Sequence, residues 1–371
     1  SVYLFATLDT KGEETKFLAD QLTELGVAIT LVDVGSFNEP TVAPDVSREA
    51  IFAAAVADWR VLAAKGDRGE AVAAAARGAT RFIAQEHEAG KVTGVIGLGG
   101  SAGTTIAASA MRQLPIGVPK LIISTLASGQ VRPFVGDKDI IMMNSVVDIA
   151  GLNSINRLVF QNAASAMAGM TSHAAKREAT HRPVVAATMF GVTTPCINNA
   201  RKILEEAGYE VVVFHATGTG GQAMESLIRE GQIVGVLDIT TTELADEMVG
   251  GVLSAGADRL TAAAERGLPQ VVSVGALDMV NFGPPETTPE KFESRSFYQH
   301  NPAVTLMRTT AEECEQLGRE IGGKISKSAG PTAVILPLAG VSAIDADDQP
   351  FFDPDARECL FHGIRNTAVG V

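Results

Sequence analysis

Between Val92 and Met111 the chain reads VTGVIGLGGSAGTTIAASAM, and this stretch decides the fold class. Residues 92–98 are a short apolar run, as expected of a strand buried on both faces of a sheet. A glycine-rich turn follows, and the alanine-rich residues 106–111 continue as a helix. A strand, a glycine turn and a helix in this order predict a parallel α/β sheet with right-handed crossovers.

The same alternation runs through the whole first half of the chain. Further apolar runs predict strands at residues 2–7, 27–34, 121–124 and 140–143. Helix patterns lie between them, and residues 153–176 read as a final helix. The first half is therefore predicted to be one sheet flanked by helices.

The second half repeats this order, which indicates an internal duplication. Five segments have counterparts in the same sequence order: 184–188 with 4–7, a helix ending at Gly208 with one ending at Gly26, 233–237 with 92–96, 267–272 with 117–122, and 303–307 with 139–143. The alternative is that two unrelated α/β domains share such turns and strands. We predict two domains, residues 1–178 and 179–371, the first of which binds a nucleotide.

Composition narrows the function further. The chain has 371 residues, enough for two domains of ordinary size, and its formal net charge of −13 argues against nucleic acid as the main partner. It contains no apolar run of eighteen residues, so no membrane span is predicted. A strand-like start and three scattered cysteines favour a cytoplasmic protein with reduced thiols.

The strongest candidate site is the turn after residues 92–98, because ligands of open α/β sheets bind beyond the carboxyl ends of the strands. Glycines allow a ligand to approach the backbone, the helix N-terminus attracts anions, and hydroxyls donate to phosphate oxygens. The spacing is neither a P-loop nor GxGxxG. We predict phosphate contacts here; the alternative is that the glycines serve packing alone. The residues are Gly99, Gly100, Ser101, Ala102, Gly103 and Thr104.

A second glycine turn follows residues 211–214, and we predict ligand contacts there as well. His215 precedes it and is either an acid–base group or an ordinary strand-end residue. In the same half, Asp238 and Glu243 flank a threonine run and suggest a polar pocket. The turn comprises Thr217, Gly218, Thr219, Gly220, Gly221 and Gln222.

Other strand ends supply polar candidates. Lys11 would neutralise phosphate charge, and Asp9 would bind a metal ion or a ribose hydroxyl, whereas Thr10 either lines the site or caps the helix. Asp148 is a candidate Mg²⁺ ligand or a helix cap. No HxxxH, HExxH or GxSxG pattern occurs, so neither a zinc site nor a hydrolase elbow is indicated. Further candidate lining residues are Ser124, Thr125, Asn144 and Ser145.

Four segments together resemble a known family. They are ATLDTKGE at residues 6–13, GGSAGT at 99–104, NSVVDIAGLN at 144–153 and HATGTGG at 215–221. The chain resembles the family named for the ATP-binding N-terminal domain of the tomato mosaic virus resistance protein. The resemblance implies two Rossmann-like subdomains, ATP binding with Mg²⁺, a homodimer, and a TIM-barrel domain that here would be a separate partner protein.

The expected function is therefore binding of a nucleotide, ATP, with its phosphates at residues 99–104. The alternative is an enzyme that acts on a phosphorylated or carboxylate metabolite in a cleft between the halves. A kinase, a ligase or an isomerase would fit that alternative, because domain interfaces are common ligand sites.

Overall fold

The computed structural model describes residues 1–174 and 182–370. The chain divides into two compact units, Ser1–Ala179 and Thr180–Val371. The predicted boundary at residues 178 and 179 and the predicted helix end at residue 176 lie outside the described residues.

The first unit contains a five-stranded parallel sheet with the strand order β2-β1-β3-β4-β5. The strands predicted from apolar runs are confirmed to within three residues. Its strands are β1 (Val2–Ala6), β2 (Ile29–Asp33), β3 (Gly94–Gly99), β4 (Lys120–Ser124) and β5 (Ile141–Asn144). Its helices are α1 (Leu8–Glu24), α2 (Arg48–Ala54), α3 (Trp59–Lys65), α4 (Arg68–Glu88), α5 (Ser101–Met111), α6 (Arg132–Val135) and α7 (Ser154–Ala174).

Both faces of this sheet are covered, which is why its strands are apolar without alternation. On one face, Phe5 and Val95 belong to a core that includes Ile106 of α5. On the other face, Leu4 and Ile96 belong to a core with residues of α1 and α7. Neighbouring strands β1 and β3 therefore send their following helices, α1 and α5, to opposite faces.

The second unit has the same sheet topology. Its strand order is β13-β9-β8-β6-β7, and all neighbours are parallel. Read from the β7 end, and counting only the five strands of this sheet along the chain, the order is second, first, third, fourth and fifth, as in the first unit. Its strands are β6 (Val184–Met189), β7 (Glu210–His215), β8 (Gly235–Thr240), β9 (Gln270–Gly275), β10 (Met279–Phe282), β11 (Phe297–Asn301), β12 (Val304–Arg308) and β13 (Thr332–Ile335). Its helices are α8 (Thr194–Glu206), α9 (Thr219–Arg229), α10 (Thr242–Val249), α11 (Ala262–Arg266), α12 (Ala311–Ile325) and α13 (Pro354–Thr367). The predicted class, two Rossmann-like halves with mostly parallel sheets, is confirmed.

One of the five matched segments was assigned wrongly. Residues 303–307 were expected to correspond to the fifth strand of the first half. They instead form most of β12, the central strand of a three-stranded antiparallel sheet with the order β10-β12-β11. The fifth strand of the second parallel sheet is β13, which pairs with β9.

Helix length and composition also bear on the membrane prediction. None of the helices in the described part of the chain is both long and apolar enough to cross a lipid bilayer.

Candidate functional site

A cavity of about 340 Å³ lies at the carboxyl edge of the first sheet. Residues that follow β1, β2, β3 and β5 line it, among them Lys11, Ser36, Ser101 and Asp148. The strand order changes direction between β1 and β3, and open α/β sheets bind ligands at such switch points. The fold therefore gathers part of the predicted set around one cavity: Asp9, Thr10, Lys11, residues 100–103 and Asp148.

The first turn of α5 forms one wall of this cavity. The hydrogen bonds of the helix begin where Thr104 N–H donates to the Gly100 carbonyl at 2.9 Å. The amides of Ser101, Ala102 and Gly103 precede that bond, and in the described chain no side chain accepts from them. Gly100 to Gly103 all line the cavity, so these amides form an anion-binding wall.

The glycines of this turn have different roles. A Cβ atom on Gly99 would lie 3.0 Å from the Gly103 Cα, so this pair provides the close strand–helix approach. A Cβ atom on Gly100 would meet nothing nearer than Thr125 Oγ1 at 3.7 Å. Packing alone, the alternative interpretation of the motif, thus explains Gly99 but leaves Gly100 open towards the cavity.

Two cationic side chains line the cavity, Lys11 and Arg68. Lys11 interrupts α1 with non-helical dihedrals of φ −131° and ψ 23°. Its ammonium group donates a hydrogen bond to the carbonyl of Ile149, which ties the start of α1 to the loop after β5. Arg68 begins α4 and is exposed. Both cations can neutralise a bound anion.

Asp9 lines the same cavity and orders the loop after β2. Its Oδ2 accepts hydrogen bonds from the amides of Ser36, Phe37 and Asn38 at 3.3, 3.2 and 3.3 Å. Its Oδ1 is buried and has no hydrogen-bond partner. That oxygen is packed beside Gly35, on which a Cβ atom would lie 2.6 Å from it, so it is covered and not open to the cavity.

Several predicted residues stand behind the cavity wall or beside it. Thr104 and Ser124 are buried and share a hydrogen bond of 2.6 Å. The Asn144 side chain accepts from an amide within its own turn, and the Ser145 hydroxyl donates to Val147 O. These four side chains make hydrogen bonds within the protein, and a ligand role for them stays a prediction. Thr10 does line the cavity, with its hydroxyl 2.8 Å from that of Thr7.

The glycine turn of the second unit is occupied by a carboxylate of the protein itself. Glu243 Oε1 accepts from the amides of Gly218 and Gly221 at 2.6 and 3.1 Å. Glu243 is fully buried, and its Oε2 accepts from Arg259 Nε at 2.7 Å. Glu243 fills the position at the N-terminus of α9 that the sequence predicted for a ligand anion.

The other residues of that turn contact their own chain. The Thr217 hydroxyl donates to the His215 carbonyl at 3.3 Å, and a Cβ atom on Gly220 would lie 1.9 Å from that oxygen. His215 is exposed and packs against the ring of Phe190 at 5.5 Å. A ligand role for Thr217, Gly218, Thr219, Gly220, Gly221 and Gln222 stays a prediction.

A buried ionic cluster surrounds Glu243. Arg259 also donates to both oxygens of Asp238 at 2.5 and 2.7 Å, and it lies 3.4 Å from Glu225. Burial raises the pKa of Glu243, while Arg259 opposes this change. Burial by itself would lower the pKa of Arg259, but the surrounding carboxylates, Asp238 foremost, raise it above its ordinary value. The polar pocket expected around Asp238 and Glu243 is thus a closed, buried cluster in which one guanidinium group pairs with three carboxylates.

No group of three or more Asp, Glu, His or Cys side chains that could hold a metal ion is found within the described ranges. Protein Mg²⁺ sites commonly use one or two carboxylates, with phosphates and water completing the shell. Asp9 and Asp148 both line the cavity, and Asp148 Oδ1 accepts the Ile149 amide at 2.8 Å. The two carboxylates suit a metal ion that arrives with a phosphorylated ligand.

Comparison with known proteins identifies the family of this chain. Residues 1–176 match the N-terminal domain of an uncharacterised protein family, UPF0261, and residues 182–370 match its C-terminal domain. The chain belongs to the UPF0261 family. A UPF0261 protein of Clostridium tetani is 48% identical over 99% of this chain and 91% of its own length. UPF0261 protein RA0729 of Rhizobium meliloti is also 48% identical, over 99% of this chain and 90% of its own length.

The UPF0261 chain is also similar to a plant protein. ToMV resistance protein Tm-1(GCR237) of Solanum lycopersicum is 42% identical over 97% of this chain. The match covers 50% of the tomato protein, so the chain spans about half of that relative. The resemblance found from the four sequence segments is confirmed.

Sequence reasoning on this UPF0261 chain missed part of the site. Ser36, Phe37 and Asn38 line the cavity after β2, and Arg68 reaches it from α4. The loop after β2 could have been included, because it follows a strand as the other candidates do. Nothing in the sequence marks Arg68, since its position depends on the path of a long connection.

Proposed function

We propose that the first unit of this UPF0261 protein binds a nucleotide, with its phosphates at the first turn of α5. One observation carries the proposal: the amides of Ser101, Ala102 and Gly103 have no intrahelical partner and face a cavity that Lys11 and Arg68 also line. Unpaired amides at a helix N-terminus favour phosphate oxygens. The corresponding position in the second unit is already filled by a carboxylate.

The remaining walls suit a nucleoside. The cavity volume of about 340 Å³ lies within the range common for small-molecule sites. Val34, Val72 and Ile106 supply apolar surface, and Phe37, which is 38% exposed, offers an aromatic face on which a base can stack. Phosphate binders without a base would make no use of these groups.

ATP with Mg²⁺ is the ligand we propose. Asp9 and Asp148 would contribute carboxylate oxygens, and the phosphates and water would complete the coordination of the metal. The homodimer and the separate barrel protein stay predictions of the family resemblance.

The test is a titration of the wild type and a Gly100→Asp variant with ATP, ADP, GTP and tripolyphosphate, with and without Mg²⁺. Because Gly100 faces open space, an aspartate there should fold and place a negative charge at the phosphate position. Gly323→Asp is the matched control, since Gly323 also has open space around it and belongs to α12 of the other unit. Calorimetry and thermal unfolding would both be recorded.

We expect ATP with Mg²⁺ to stabilise the wild type and the control but not Gly100→Asp. A free ligand concentration of 100 times the dissociation constant adds about 2.7 kcal/mol to the free energy of unfolding. A folded wild type that binds none of the four compounds would refute the proposal. If Gly100→Asp bound ATP as tightly as the wild type does, the phosphates would not lie at the first turn of α5.

A further inference from the structure

A second cavity, of about 500 Å³, lies in the second unit, far along the chain from the nucleotide site. The segment 285–293 forms one side of it, and β11 and β12 form the other. We call it the acidic pocket and define it by its five key lining residues: Glu286, Glu290, Glu293, Phe297 and Thr305. It lies beside the three-stranded antiparallel sheet, which has no counterpart among the described residues of the first unit.

The carboxylates of the acidic pocket are not held in ion pairs. Glu286, Glu290 and Glu293 are exposed, and they form none of the ion pairs found among the described residues. The neighbouring cations are engaged elsewhere. Lys291 lies 4.6 Å from the ring of Phe292, and Arg295 pairs with Glu313 at 2.6 Å. The pocket therefore presents three negative charges to a ligand.

A buried hydroxyl group points to the same kind of ligand. Thr305 lines the pocket, is only 5% exposed, and its Oγ1 has no hydrogen-bond partner. Buried polar atoms without partners are uncommon and costly. The oxygen is covered in the unbound protein, so an N–H donor in the pocket would satisfy it once the Thr305 side chain turns towards the opening. Phe297, 38% exposed, adds an aromatic face that attracts a cation.

The adjacent strand indicates how such a cation would be presented. β11 forms the edge of the sheet order β10-β12-β11, with β12 as its partner strand. Four of its five residues are exposed. An open edge strand can accept a further strand through main-chain hydrogen bonds. Phe297 and Gln299 on this strand line the pocket, so a segment added to β11 would pass beside it.

We propose that the acidic pocket binds a Lys or Arg side chain of an extended basic segment of a partner protein that pairs with β11. Charge complementarity selects the side chain, and main-chain pairing with β11 holds the segment. This inference does not depend on nucleotide binding, because it concerns different residues in the other unit.

The experiment uses fluorescence anisotropy of a labelled peptide, Val-Arg-Val-Lys-Val-Arg-Val, at low salt with the full chain. The pocket variant is the triple change Glu286→Gln, Glu290→Gln and Glu293→Gln. The matched control removes the same number of negative charges at exposed glutamates elsewhere, with the changes Glu24→Gln, Glu88→Gln and Glu206→Gln. Circular dichroism checks that each variant is folded. A peptide with N-methylated backbone amides and free arginine amide complete the set.

We expect the wild type and the control to bind the peptide equally and the pocket variant to bind it about tenfold more weakly, given three exposed charge contacts. The N-methylated peptide and arginine amide should bind much more weakly than the peptide. No binding to the wild type, or equal binding to the pocket variant and the control, would overturn the proposal. Tight binding of arginine amide or of the N-methylated peptide would overturn pairing with β11.

Discussion

Removal of the Glu243 carboxylate should open an anion-binding position in the second unit. A Glu243→Ala change deletes the acceptor for three donors: Gly218 N–H, Gly221 N–H and Arg259 Nε. Breaking one partner out of a buried ion pair typically costs about 3–5 kcal/mol. Because Arg259 keeps its two short bonds to Asp238, we expect the lower part of that range. The loss in unfolding free energy arises because these donors are left without an acceptor. A small anion that binds to them should therefore restore part of the stability.

The assay follows the two units separately, because a chain of two units need not unfold in one step. Trp59 is the single tryptophan and lies in the first unit, so its fluorescence reports that unit alone. Calorimetry follows both transitions. For a unit of this size, each kcal/mol lowers the melting temperature by about 2–4 °C. Formate would then be titrated into the variant, since its carboxylate fits the space of the deleted group.

We expect the transition of the second unit to fall in Glu243→Ala, the Trp59 transition to stay unchanged, and formate to raise the melting temperature of the variant but not of the wild type. Glu243→Gln is the control. It keeps an oxygen acceptor for the two glycine amides but turns an N–H group towards Arg259, so formate should not rescue it. A loss below about 1 kcal/mol would show that Glu243 is not satisfying these donors. Equal stabilisation of the wild type by formate would refute the idea of a filled anion position.

Two further predictions test the packing and the pH dependence. Gly99→Ala places a Cβ atom 3.0 Å from the α5 backbone and should lower the free energy of unfolding in urea by about 1–3 kcal/mol. Gly100→Ala has open space around the new Cβ atom and should lower it by less than about 1 kcal/mol. Equal losses would contradict the different roles of the two glycines. Burial raises the pKa of Asp278 from 3.8 to about 7. The folded protein then holds a proton that the unfolded chain releases, so stability should fall as the pH rises from about 4 to about 7, by at most about 4 kcal/mol for this group. In urea titrations at several pH values, Asp278→Asn should make the stability depend less on pH. The contribution of Asp246 should remain, because burial also raises the pKa of Asp246 to about 7. An unchanged pH dependence would show that Asp278 is ionised in the folded protein.

The fold could be predicted from the sequence because its periodicity and its repetition agree. Three of the matched segments fall on corresponding strands of two sheets that have the same strand order, and a fourth falls at the ends of the corresponding helices α1 and α8. The fifth did not, because an apolar strand pattern does not state which strand it will pair with. Residues 303–307 have the composition of a parallel strand, but their partners β10 and β11 are close in sequence and antiparallel.

The candidate site was partly predictable for a related reason. Carboxyl ends of neighbouring parallel strands meet at one edge, so Asp9, Lys11, Gly100 and Asp148 could be placed together before their contacts were known. The direction in which each side chain points could not be predicted. Thr104 satisfies the donor chemistry of a phosphate site, yet it faces inward to Ser124.

The two glycine turns show what a motif can and cannot establish. Both follow a strand, both start a helix, and both contain glycines with hydroxyl residues, so the sequence assigned an anion to each. They differ in a residue 25 positions away from Gly218, because Glu243 in the first turn of α10 reaches the amides of α9. A glycine turn predicts the geometry of an anion site, whereas its availability depends on every carboxylate that the fold brings near it. For this reason the unpaired amides of α5, and not the motif, carry the nucleotide proposal.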